Sequence, residues 1–221
     1  MAIKTLQNLL EDIGAYVDQS LTLPTGDELT SRVNYVNRAL EEWGNSFQWK
    51  QLRFSSTVTS VTVGNPSLAL PSTFKKLMSP LVDESKPVDK TRNYVEIRPE
   101  ERLQKGAADK YIYILGDAVR GNSIHVNPSQ ASGVTYSFDY QAFPSSMATL
   151  TDICVNPYPE FISSRAIGYV LEARSDPRFP QVKADADTML QRQIEEEVTP
   201  SGGEDNKVPT RPEKTGFRIG E

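Results

Sequence analysis

Over residues 3–18 the apolar side chains Ile3, Leu6, Leu10, Ile13 and Val17 recur at steps of three and four, which draws one stripe along a helix. Gly14 lies inside this segment and weakens it by about 1 kcal/mol relative to alanine. The stretch Gln19-Ser20-Leu21-Thr22-Leu23-Pro24 breaks the helix, and Thr25, three residues ahead of Glu28, has the spacing of a capping box that opens a second one. There Leu29, Val33, Val36, Leu40, Trp43 and Phe47 again step by four and three, the strongest periodicity in the chain. Two amphipathic helices joined by so short a loop are expected to form an antiparallel hairpin, stripe against stripe.

The period changes near Phe54. Residues 55–63 are rich in β-branched side chains, with Val61 and Val63 on one face; Gly64-Asn65-Pro66 turns the chain and residues 67–70 return, which predicts a β-hairpin ended by Pro71. Residues 111–115 form a further strand, turned through Gly116-Asp117 and Gly121-Asn122 into residues 123–126. In the next segment Val134, Tyr136, Phe138 and Tyr140 alternate with Thr135, Ser137 and Asp139. Short strands spaced by Gly, Asn and Pro turns describe an antiparallel sandwich or small barrel. Asp83-Glu84, Asp89 and Glu100-Glu101 read as solvated charges in polar loops.

Helix returns after Pro157-Tyr158-Pro159. Phe161, Ile162, Ala166, Tyr169, Val170 and Ala173 mark one helix, and after the break at Asp176-Pro177, Val182, Ala186, Met189, Leu190 and Ile194 mark another ending near Val198. Its last turn, Glu195-Glu196-Glu197, opposes the helix dipole and reads as a solvated run. The expected fold is therefore α+β: a helical bundle built from N- and C-terminal helix pairs (residues 1–53 and 151–198), an antiparallel β-rich insertion (54–150), and an extended C-terminal tail (199–221). Leu29, Val33, Val36, Leu40, Trp43, Phe161, Val170, Met189, Leu190 and Ile194 are the expected bundle core. In the tail only Val208, Phe217 and Ile219 are large and apolar, too few for a core of their own.

Charge and chemistry narrow the function. Lys+Arg 24 against Asp+Glu 29 gives a net charge of -5, which argues against a generic basic nucleic-acid binder. A mean hydropathy of -0.47 agrees with part of the chain lying outside any core. Apolar runs fall short of the ~18 residues of a membrane helix, and the start lacks a secretory apolar stretch, so cytoplasmic synthesis is expected. Cys154 and His125 are each the single residue of their type, so an intrachain disulfide or a Cys/His zinc site cannot be assembled. His125 sits in an alternating strand, a poor place for a catalytic triad. Phosphate-loop, dinucleotide and nucleophile-elbow motifs are missing. No catalytic, metal or cofactor residues are expected, and no cofactor. Trp43, Phe47, Trp49 and Phe54 could stack bases, but Trp43 and Phe47 continue the apolar stripe, so packing is the better reading, with Trp49 bridging the helices to the first strand.

The second helix ending in Trp43, the following Trp49-Lys50-Gln51-Leu52, the β-turn-β that closes with Leu68-Ala69-Leu70-Pro71, and the two last helices together resemble the head-to-tail adaptor (connector) proteins of tailed bacteriophages, over about residues 3–198. That resemblance implies a structural virion protein of the neck: a ring, typically dodecameric, that joins the portal protein on one side to a tail or nozzle protein on the other and continues the channel for double-stranded DNA. It implies that Val208, Phe217 and Ile219 anchor the tail on an adjacent ring. The competing classes are a β-rich attachment module of a phage tail or baseplate, and an enzyme with an unfamiliar site.

Overall fold

The computed structural model describes residues 3–59, 67–88, 92–106, 108–117, 121–127 and 133–198. The tail anchors Val208, Phe217 and Ile219 lie outside them, as do Asp89, Val61, Val63 and the turn at 64–66.

Helix α1 spans Leu6–Val17 and starts later than its periodicity predicts, because Thr5 caps it. The Thr5 hydroxyl accepts the Asn8 amide at 3.4 Å, and the Asn8 side chain accepts the Thr5 amide at 3.1 Å. This satisfies donors that a helix terminus otherwise leaves orphaned. Ile3 is thereby left in the extended lead-in, 74% exposed, where Thr5 bridges Ile153. The reverse holds for α2, Gly26–Ser46: Thr25 is its N-cap but makes no side-chain cap bond. Glu28 instead accepts from Arg32 and Arg174, and a charge-assisted bond to guanidinium outcompetes a neutral one.

Helices α3, Pro159–Ala173, and α4, Phe179–Val198, complete the set. The α1 and α2 stripes converge on α3 more than on each other. The reason is composition: α3 carries Phe161, Ile162, Ala166, Ile167, Val170 and Leu171, all buried, and so needs neighbours on several sides. Val36, Leu40, Trp43, Phe161 and Val170 are buried in one cluster, and Leu29, Val33, Met189, Leu190 and Ile194 pack half-buried against it. Gly14 belongs to this packing, since a Cβ there would lie 2.6 Å from the Ser20 carbonyl oxygen. Close approach of the two segments accounts for a glycine that propensity alone disfavours.

Among the described residues eight strands follow α2: β1 Arg53–Thr59, β2 Ser67–Ala69, β3 Phe74–Leu77, β4 Leu81–Asp83, β5 Asn93–Glu96, β6 Tyr111–Asp117, β7 Gly121–Asn127 and β8 Thr135–Ala142. They form one nearly closed sheet in the order β1-β8-β4-β5-β6-β7-β2, with β3 also on β8. The pairing is antiparallel except for β5 with β6, which is parallel and departs from the purely antiparallel expectation. Among the described residues β1 pairs with β8, from Arg53↔Gln141 to Thr59↔Thr135, and β2 pairs with β7, so they do not form the expected hairpin ladder with each other. Tyr136, Phe138 and Tyr140 explain this: they give β8 a continuous apolar face with room for β1 on one edge and β3 and β4 on the other. Leu68, Phe74, Leu81, Tyr94, Ile112 and Ile124 join those aromatics in a second core, separate from the helical one. Asp83 is no loop charge; it ends β4 fully buried, accepting the Ser85 amide at 3.0 Å and its hydroxyl at 2.6 Å. Glu100 and Glu101 lie in a 3-10 helix over Pro99–Gln104.

The last turns of α2 tie the two cores together. Lys75 on β3 donates to the Gly44 carbonyl at 2.9 Å, supplying a cation where the helix dipole is negative. Asn37 donates to the Met147 carbonyl at 2.9 Å and accepts its amide at 2.7 Å. Gly44 has space only for hydrogen, since a Cβ would sit 2.5 Å from Pro144 Cδ and 2.7 Å from its Cγ. Gly44→Ala is therefore expected to lose about 1–3 kcal/mol, the usual cost of overpacking, despite alanine's better helix propensity; urea denaturation of the two proteins measures it. Trp49 closes the corner, its ring stacked 4.9 Å from Trp43 and its Nε1 donating to the Trp43 carbonyl at 2.6 Å. At the far end of α4, Glu197 is mostly buried and accepts the Lys50 amide at 3.0 Å, so the acidic run is not wholly solvated.

Candidate functional site

An open groove of about 500 Å³ runs between α2, α3 and α4, lined by Arg38, Glu41, Glu42, Arg165, Tyr169, Lys183 and Asp187 among others. Arg165 forms its floor and is only 6% exposed. It reaches that position because Phe161, Ile162 and Tyr169, one turn away on α3, are apolar or aromatic, so its guanidinium leaves the core through the gap beside α4. There it pairs with Glu42 at 2.8 Å and with Asp187. Tyr169 donates to Glu42 Oε2 at 2.5 Å, and the Arg38 guanidinium lies 4.1 Å from the Tyr169 ring centre. Burial, and then the bond to Glu42, push the Tyr169 phenol up to about 12. The polar groups on this floor are thus bonded to one another, with Glu42 between a phenol and a guanidinium.

A pH effect follows from that phenol. Its folded value of about 12 lies above the ordinary 10, so folding favours the protonated form. The associated stability is fully present below pH 10 and is lost as pH rises through 12. Ultraviolet titration of tyrosinate should show a late phase near pH 12 that is smaller by one phenol in Tyr169→Phe.

A second cluster clamps the opposite end of the helices. Arg32, 2% exposed, pairs with Asp18 and with Glu28 at 2.5 Å, while Arg174 at the end of α3 reaches the same carboxylates at 2.8 and 2.7 Å. Burial would raise Asp18, but the bonds from Arg174 and Arg32 outweigh it and leave it below its ordinary 3.8. Glu28 is held below 4.5, chiefly by Arg32. Both carboxylates stabilise the fold above those ordinary values, and the contribution is lost as pH falls through their lowered ones.

His125, on β7, stacks on Tyr113 with ring centres 4.9 Å apart, and its Nε2 lies 3.3 Å from the Ser123 hydroxyl. Burial, then the nearby Arg102, lower its pKa from the ordinary 6.5. No carboxylate bonds it among the described residues, so Ser123 and His125 do not make a triad. Cys154 is buried, and burial pushes its thiol up, away from the reactive thiolate. No group of three or more His, Cys, Asp or Glu side chains is placed to hold a metal among the described residues. No described helix is long and apolar enough to cross a membrane.

The periodicity of the sequence missed Arg32 and Arg165 as organising residues and gave Tyr169 only as part of an apolar stripe. Two signals were available: Glu28 and Arg32 have the spacing of a helical ion pair, and Arg165 is a lone charge amid apolar steps of α3. The ten bundle positions it did single out collect in the helical core, while the tail positions fall outside the described residues. No curated protein matches the chain significantly. The model of the family described as SU10 adaptor protein matches residues 4–212.

Proposed function

Since the chain belongs to the SU10 adaptor protein family, a family of phage head-tail adaptors, we propose that it is a structural protein of the virion neck. Copies form a ring, dodecameric in our reading, that joins the portal protein to a tail or nozzle protein and continues the DNA channel. The helices formed by residues 1–53 and 151–198 make the body of each subunit, residues 54–150 an accessory lobe, and residues 199–221 an extended segment that docks on the adjacent ring through Val208, Phe217 and Ile219. The reading has no catalytic step and no cofactor.

The observation that carries this reading is the family match across nearly the whole chain, residues 4–212. Physical chemistry supports it. A ring subunit transmits load between two neighbours, and the bond from Lys75 on β3 to the Gly44 carbonyl of α2 couples its two cores. A channel through which DNA slides must not hold phosphates, because each one neutralised by Lys or Arg adds affinity through counterion release. A net charge of -5 suits that duty.

Mixing the full chain with the assembled portal ring and weighing the product by native mass spectrometry tests the proposal. One bound copy per portal subunit is the expected result, even where the chain alone is a monomer, because a ring can close on its template. A portal that stays bare at micromolar chain would overturn it.

A further inference from the structure

We propose that residues 215–219 of the C-terminal segment pair with the free edge of β1 in the isolated subunit, so that the tail is stored on its own sheet before assembly. One edge of β1 is taken by β8 along its full length, in unbroken one-to-one register. The other has no ladder partner among the described residues and faces β2 across the gap of the nearly closed sheet. Such edges are normally guarded by a lysine, a proline or a bulge, and from Phe54 to Thr59 β1 has none of these. Its side chains are unfinished as well: Phe54 is 48% exposed, although its ring continues the aromatic row of Tyr140 and Phe74, at 6.0 and 5.8 Å between successive centres.

The chain itself supplies an occupant. Glu197 bonds the Lys50 amide at 3.0 Å, so α4 ends beside the residues that lead into β1. From there residues 199–214 can span about 50 Å at ~3.3 Å each, ample for a strand of about 20 Å. After Pro212 the sequence is free of proline, and Thr215, Phe217 and Ile219 alternate with Gly216 and Arg218. A strand with that period places Phe217 and Ile219 on one face, beside Phe54, and Arg218 on the other. That other face of β1 and β8 carries carboxylates, with Arg53 at the start of β1: Ser55 donates to Asp139 at 2.5 Å, and Ser137 donates to Glu84. Apolar and charged sides of the segment therefore match the two faces of the edge. This storage concerns the free subunit and needs no ring to exist.

Hydrogen exchange on the full chain tests it. In Phe217→Asp/Ile219→Asp the alternate β1 amides that point away from β8 should exchange at least about tenfold faster than in the unmodified chain. The α3 amides should be unchanged, which shows the fold intact, and Val208→Asp should behave as the unmodified chain. A peptide of residues 211–221 should slow the same amides again in a chain ending at Val198. Equal exchange at β1 in the unmodified and doubly substituted chains would overturn the proposal.

Discussion

Asp18→Ala combined with Glu28→Ala should cost about 3–5 kcal/mol of unfolding free energy, the range for stranding a buried charge. Arg32 is 2% exposed, and these two carboxylates are its ion-pair partners, with its Nε and Nη1 already unbonded. Arg32→Met should cost well under half as much. It removes the buried charge itself and fills similar volume with an apolar chain, while Asp18 and Glu28 stay hydrated and keep Arg174. The size of the gap is the informative part, because counting ion pairs alone gives Arg32→Met half the loss of the double variant: two bonds against four. Urea denaturation followed by helical circular dichroism decides it. Arg32→Met proving the more damaging would mean that the guanidinium is stabilised by something other than its two anions.

Trp43→Ala carries the other large expected effect, about 3–5 kcal/mol from the lost burial and the cavity left behind. Trp43 is fully buried and stacked on Trp49, which packs edge-on to Phe47, and its carbonyl accepts the Trp49 indole. Because Trp43 and Trp49 are the chain's 2 tryptophans, the variant also reports locally: the near-ultraviolet circular dichroism of the stacked pair should collapse and the remaining emission should shift to the red. Trp43→Phe should retain more than half of the lost stability. Full native stability in Trp43→Ala would contradict the packing at this corner.

The same two regions show how much the sequence could say. The α2 stripe from Leu29 to Phe47 is local and periodic, so it was legible, as were the 111–126 hairpin and the alternation of β8, each specified by residues a few positions apart. Strands β3, β4 and β5 were not, because three or four residues carry too little alternation to stand above a loop. The pairing of β1 with β8 joins residues more than seventy positions apart, and no local pattern encodes it. Caps failed in both directions for one reason: a Thr-x-x-Glu spacing names candidates, but whether Glu28 turns to its own helix or to Arg174 is decided by α3. The burial of Asp83 was illegible in the same way, since burial of a charge depends on which elements close over it.

Electron cryo-microscopy of the mature virion tests the central claim most directly. The account predicts a ring of this chain between portal and tail, with the α1–α4 core and the β1–β8 core of every copy fitting as one unbroken body around the DNA path. Density for the chain at the baseplate or fibres, or its absence from the neck, would contradict it.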